Sequence, residues 1–267
     1  MKDLRARRGE KFKLDRVDPA DTSAFEGKRE ESENELARLR AELGRLQELL
    51  YADHRYAVLI VLQGMDTAGK DGVIRHVFDG VNPQGVQVAP FKVPIPDELE
   101  HDFLWRIHPH APAKGHMAIF NRSHYEDVLA VRVHKLVPKD VWEKRYRAIN
   151  DFERELSNEG TTLLKFFLHI DAKEQKGRLQ ARLDDPTKRW KFSSADLQER
   201  QFWPAYLEAY EEVIEETNTE WAPWFVIPSN HKWFRNWAVS KVLVGALEDL
   251  RLSYPKDPPN LAEIHIK

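Results

Sequence analysis

The chain has 267 residues, 42% of them hydrophobic, enough for one sizeable α/β domain with an appended arm. The absence of Cys excludes disulfides and thiol chemistry, and a net charge of −3 advertises no nucleic-acid partner, so any polyanion site must come from local clusters. No apolar run approaches the length of a membrane span, nor does one follow the charged start, so neither a membrane partner nor a secretory signal is expected and cytoplasm is the default location.

Residues 1–30 are polar and aperiodic, and read as an extended arm that wraps the domain or is partly mobile. Across 31–50, Leu36, Leu39, Leu43, Leu46 and Leu50 recur at spacings of three and four, forming one apolar helix face. That face either docks on the chain's own surface or makes a coiled-coil contact between copies, and two heptads do not decide. We take 1–50 as arm and helix and 51–267 as the main domain; a homo-oligomer is expected. β-rich runs follow at 56–63, 86–93, 116–121, 162–170 and 223–229. Helical patterns separate or follow them at 70–79, 97–108, 138–158, 173–183, 194–217 and 233–252. This alternation predicts a buried parallel sheet with right-handed crossovers, covered on both faces. The tail, 254–267, breaks helix and reads as a closing arm.

"LQGMDTAGKDG" (62–72) lies between the first strand and a helix, and matches G-x-x-x-x-G-K with Gly64, Gly69 and Lys70 in register. Such a phosphate loop (Walker A) needs glycines for a sharp turn, amides facing the anion from Gly64 through Ala68 and Gly69, and a Lys that neutralises the transferred group. Asp71 stands where the motif normally carries a metal-binding hydroxyl. Its alternatives are an unassigned site role and an N-terminal helix acid favoured by the dipole. Asp66, inside the loop, is the acid expected to face the site and hold magnesium or orient the acceptor.

At the end of the third strand come Asn121, a neutral oxygen for a metal, and Arg122, where ligands bind in open α/β sheets. Glu126 and Asp127 are candidates for the missing metal charge. Arg122 and Arg132 suit phosphates, the competing reading being ion pairs with nearby acids. Residues 176–200 carry Arg178, Arg182, Lys188, Arg189 and Lys191 around a Pro break, as a lid closing over phosphates requires. Arg75, Lys92, Lys232 and Arg235 are further candidates for a polyanion channel. The scattered His residues form no metal set.

Four stretches, "GMDTAGKDG", "FNRSHYEDVLAVRVH", "DDPTKRWKFSSAD" and "SNHKWFRNWAVSKVL", together resemble the polyphosphate kinase 2 family, in order from about 55 to 252. The resemblance implies a three-layer α/β phosphate-loop kinase fold, thymidylate kinase-like, with a five-stranded parallel sheet and a helical lid. It also implies magnesium-dependent (or manganese-dependent) phosphoryl transfer between inorganic polyphosphate and purine nucleotides, AMP and/or ADP and GMP/GDP. Asp66, Lys70, Arg122 and Arg132 fall on motif positions, with Asp66, Lys70 and Arg122 as the catalytic set. The commonest class carries Asp at the position of Asn121 and Asn at that of Glu126; the departures here match the class acting on both mono- and diphosphates. The competing expectations are an ATP-dependent nucleoside monophosphate kinase of the thymidylate kinase type and a non-catalytic assembly module.

Overall fold

The structure, a computed structural model, describes residues 4–259. Part of the tail expected to form a closing arm, residues 260–267, lies outside the described residues. Five strands, β1 (Ala57–Gln63), β2 (Val86–Pro90), β3 (Met117–Asn121), β4 (Thr161–His169) and β5 (Trp224–Pro228), form one sheet in the order β2-β3-β1-β4-β5. Every pairing is parallel. Strand β1 is buried at all seven positions, which is why its sequence is a continuous apolar run.

Helices cover both faces: α1 (Arg29–Asp53), α2 (Lys70–Val77) and α9 (Lys232–Asp249) pack together on one side. On the other lie α4 (Ala130–Val133), α5 (Lys139–Asn158) and α8 (Trp203–Thr217). The remaining helices, α3 (Pro96–Leu99), α6 (Ala172–Asp184) and α7 (Ser194–Glu199), belong to connections at the open end of the sheet. The leucine face of α1 docks on the chain's own α9, burying Leu39, Leu43, Leu46 and Leu50, so the coiled-coil alternative loses its surface.

The N-terminal arm wraps the domain. Ala6 donates its amide to Trp224 O at 2.9 Å, closing the exposed edge of β5. The amides of Phe12 and Leu14 donate to Glu215 and Glu211, and Phe25 packs edge-on against Trp233 and Trp237.

Two expected helices differ. The 97–108 pattern is helical only at α3; beyond it Asp102 accepts the Leu104 amide at 3.0 Å and holds a turn, and Pro109 sits in a short 3-10 segment. The 194–217 pattern is broken by the 3-10 turn Arg200–Phe202, because Pro204 lacks an N–H and opens α8 instead of continuing α7.

In register, Leu62 of β1 pairs with Asn121 of β3 and Phe166 of β4. The chain leaves β1 into 64–69 and leaves β3 into Arg122 side by side, with Arg122 donating its amide to Leu62 O at 3.1 Å. Ligands of open parallel sheets bind at this carboxyl end, where crossovers diverge.

Candidate active site

Backbone geometry makes the loop glycines obligatory. Gly64 has φ 149°, and a Cβ there would sit 2.8 Å from Leu168 O; Gly69 has φ 110°, and a Cβ there would strike the Arg235 guanidinium. Behind the loop, Arg178 Nη1 donates to Thr67 O at 2.9 Å and Ala68 O at 3.0 Å, and Arg235 Nη1 donates to Ala68 O at 3.2 Å. With the carbonyls held from behind, the first amides of α2, which have no intrahelical acceptor, remain for an anion. Ala68 itself serves differently from expectation: its amide donates to Met65 O at 3.0 Å, closing the turn.

Lys70 Nζ donates to Gly64 O at 2.6 Å. Burial, then Arg122, lowers its pKa, against the pull of Asp66, Glu126 and Asp71. Opposite it, Arg122 sits in the left-handed region at φ 62° and donates from Nη2 to Asp66 Oδ1 at 2.9 Å. Burial opposes the Arg122 charge, yet Glu126 and Asp66 outweigh it and hold its pKa raised. Burial pushes the Glu126 carboxyl up, Arg122 and Lys70 draw it down, and Asp66 adds to the rise. Lys70, Asp66, Arg122 and Glu126 are therefore one electrostatic unit.

Asp71 acquires a partner across the site. Asn121 Nδ2 donates to Asp71 Oδ1 at 2.8 Å, which turns the Asn121 carbonyl oxygen away from that contact.

The structure carries two expected site residues away from the cleft. Asp127 turns into the protein, paired at 3.4 Å with both Arg106 and Arg145. It is therefore not placed to help Asp66. Arg132 is held by Glu212 at 2.6 Å and Glu208 at 2.9 Å and lies over the Trp142 ring, so the ion-pair reading prevails there. Arg189 also stays outside, donating to Leu183 O at 2.8 Å.

Apart from Gly64, Ala68 and Glu126, which lie behind its wall, the remaining expected residues line a cleft of about 890 Å³ in which ten Lys and Arg face three carboxylates, Asp66, Asp71 and Glu174. Arg75, Lys92, Arg178, Arg182, Lys188, Lys191, Lys232 and Arg235 all belong to it. Arg182 reaches Asp196 at 3.6 Å and Lys188 pairs with Asp185. Burial, then Arg178, brings the Arg235 pKa down to about 10, and burial with Arg178 and Arg235 lowers that of Lys232. Cations crowded to that degree favour an incoming polyanion. The buttressing role of Arg178 and Arg235 escapes sequence reasoning, since both acceptors are loop carbonyls more than a hundred residues away. Gly72 and His76, also in the lining, follow the loop within the first two turns of α2 and were findable from that proximity alone.

Among the described residues, no group of three or more His, Asp or Glu side chains is arranged to hold a metal by itself. The cleft instead suits an ion that shares its shell with phosphate oxygens and water. Asp66 lies close enough to add to the rise of the Glu126 carboxyl, and beside Glu126 the Gln63 side chain keeps a buried, unpartnered Oε1. One or two carboxylates plus substrate oxygens is the habit of magnesium.

Comparison with known proteins follows the same line. The family model described as Polyphosphate kinase 2 (PPK2) matches residues 26–254. The chain is 59% identical over 256 residues to an AMP/ADP-polyphosphate phosphotransferase of Meiothermus ruber, covering 96% of each chain. It is 46% identical to an ADP-polyphosphate phosphotransferase of Rhodopseudomonas palustris, covering 97% of this chain and 93% of that one. The crystal structure of a polyphosphate kinase 2 from Arthrobacter aurescens TC1 superposes with a TM-score of 0.94 at 46% identity, over 97% of this chain and 93% of that one. With the family model matched over most of its length and relatives aligned along nearly all of it, the chain belongs to the polyphosphate kinase 2 family.

Proposed function

We propose that this phosphotransferase moves phosphoryl groups from inorganic polyphosphate to purine nucleotides, AMP and ADP together with GMP and GDP, by direct in-line transfer in the cytoplasm. The observation that carries the reading is the cleft itself, where ten cations face three carboxylates and two polyanions can meet. The names of relatives that use AMP, ADP or both support the acceptor class.

Lys70 and Arg122 flank the position where the moving phosphoryl group passes, and stabilise its equatorial charge. Asp66, fixed by Arg122, orients the acceptor. The amides opening α2 and the Arg75, Lys92 and lid cations hold the phosphate chain. A phosphate acceptor is already a nucleophile, so no side chain need remove a proton. Magnesium, or manganese in its place, would be held by Asp66 and Glu126, with the Asn121 oxygen nearby, and would screen the repulsion between the two substrates. Among the described residues no helix is long and apolar enough to cross a membrane. Assembly with further copies would use a surface other than the α1 leucine face, which is buried within the chain.

The ATP-dependent alternative calls for a hydroxyl at position 71 as metal ligand; here Asp71 stands there, engaged by Asn121. Incubating the protein with AMP or ADP, long-chain polyphosphate and magnesium, without ATP, should yield ADP or ATP detectable by anion-exchange chromatography. Turnover only when ATP is supplied as donor would overturn the proposal.

A further inference from the structure

Behind the turn that carries Arg122 and Glu126 lies a charged cluster sealed from water and out of reach of any phosphate. Lys165 on β4, Glu153 on α5 and His124 on the turn are all 0% exposed at their side chains. Lys165 Nζ donates to Glu153 Oε2 at 2.7 Å, to Tyr125 OH at 2.8 Å and to Thr217 O at 2.7 Å. Its three protons are thereby all engaged. Tyr125 OH in turn donates to Glu153 Oε1 at 2.7 Å, and His124 Nε2 lies 3.1 Å from that same oxygen. Burial opposes the Glu153 charge, but Lys165 and His124 hold its carboxyl below the usual range.

The geometry of the turn gives this cluster a consequence. Arg122 and Glu126 share the cleft's electrostatics with Lys70, while the residues between and after them are anchored inward. Arg122 is held at φ 62°, a conformation that costs a non-glycine residue about 1–3 kcal/mol and persists only where the surroundings impose it. A buried ion pair is a poor way to add stability, since apolar residues of similar volume commonly serve as well. A buried pair that grips His124 and Tyr125, which lie between Arg122 and Glu126, is better explained by placement.

We propose that the Glu153–Lys165 pair is a positioning device: by holding His124 and Tyr125, it fixes Arg122 and Glu126 against Lys70 at the separation the transfer needs. Glu153 and Lys165 are positioning residues and touch no substrate. The inference rests on the polyphosphate-dependent reading of the cleft.

The test separates placement from stability. Glu153→Gln and Lys165→Met each leave one buried charge uncompensated and should lower Tm by roughly 10 °C. The double variant Glu153→Leu/Lys165→Met removes both charges and should recover most of that Tm. Its kcat should stay about 10- to 100-fold below wild type, as expected for a misplaced catalytic group, with KM for polyphosphate within about threefold. Recovery of kcat together with Tm would reduce the pair to a structural element and overturn the proposal. Should the double variant fail to fold, Tyr125→Phe removes only the hydroxyl that joins both Glu153 and Lys165 to the turn, leaving the His124 contact in place. It should cost kcat about tenfold with a smaller loss of Tm than either single charge variant, and an unchanged kcat would overturn the proposal. A crystal structure of Tyr125→Phe gives a readout that needs no activity. The turn at 122–126 should be displaced and the hydrogen bond from Arg122 to Asp66 broken, whereas an unmoved turn would sink the idea. If wild type itself fails to use polyphosphate, the activity reading falls, and the crystal structure still judges the positioning.

Discussion

Arg178 and Arg235 at the back of the phosphate loop direct their guanidinium hydrogens at loop and neighbouring acceptors, whereas Lys188 and Lys191 on the lid have only local partners. Arg235 is 2% exposed, while the Lys188 side chain is 59% exposed and pairs three residues away with Asp185. Lys191 has the Trp190 ring at 5.0 Å, itself a largely exposed side chain. The same charge thus does two jobs. At the floor it sets backbone geometry before any substrate arrives, which is where preorganised electrostatics act most strongly. On the lid it waits in water, where a cation adds attraction and closure but little shape.

The largest effect that would sharpen this contrast is at Lys70. Lys70→Met keeps the apolar stem and removes the ammonium that donates to Gly64 O. It should lower kcat by about 10³-fold, the upper range for losing one charge-stabilising donor, with the unfolding curve nearly unchanged. Single-turnover kinetics beside a thermal melt check this. A variant retaining more than about a tenth of wild-type turnover would show that the floor is not where the transition state is held.

A second contrast compares glycines. Gly69→Ala must adopt φ 110° and push its methyl into Arg235, so it should cost about 1–3 kcal/mol of stability. Gly177, in helix α6 of the lid side, has open space around its Cβ position, and Gly177→Ala should stabilise by about 0.5–1 kcal/mol. Opposite shifts in denaturant midpoint are expected. Shifts of the same sign would erase the distinction between a constrained floor and a permissive lid.

What was readable in advance follows the same division. The loop at 64–70 is legible because its chemistry is local: glycines in register, a Lys, and an apolar strand buried on both faces. Strand positions agree to within three residues for the same reason. Asp127 and Arg132 are not legible, because their partners are chosen by tertiary packing. Arg132 meets Glu212 and Glu208, 80 and 76 residues on, and Asp127 meets Arg106 and Arg145. By composition each was as good a site residue as Arg122. The Asn121–Asp71 contact, spanning 50 residues, is invisible for the same reason, as is the buttress from Arg178 and Arg235. Within 97–108, the apolar spacing favours helix, while Pro109 and the Asp102 turn override it.

The smallest expected effect tests the lid directly. Lys188→Gln/Lys191→Gln removes two exposed charges that line the cleft without touching the loop. An exposed charge contributes about 0.2–1 kcal/mol, so KM for polyphosphate should rise by roughly 2- to 30-fold for the pair while kcat stays within about twofold. Screening supplies the sign of the control. The Debye length shortens from about 10 Å at 0.1 M salt to about 3 Å at 1 M, so the difference from wild type should shrink as salt is raised. Arg178→Lys is the matched floor substitution: a point charge replaces a fork that reaches Thr67 O, Ala68 O and the carbonyls of Ser229 and Asn230. The charge is conserved, so its defect should appear in kcat and persist at high salt. If instead the lid pair lowers kcat without salt dependence, the lid is shaping the transition state, and the division between floor and lid fails.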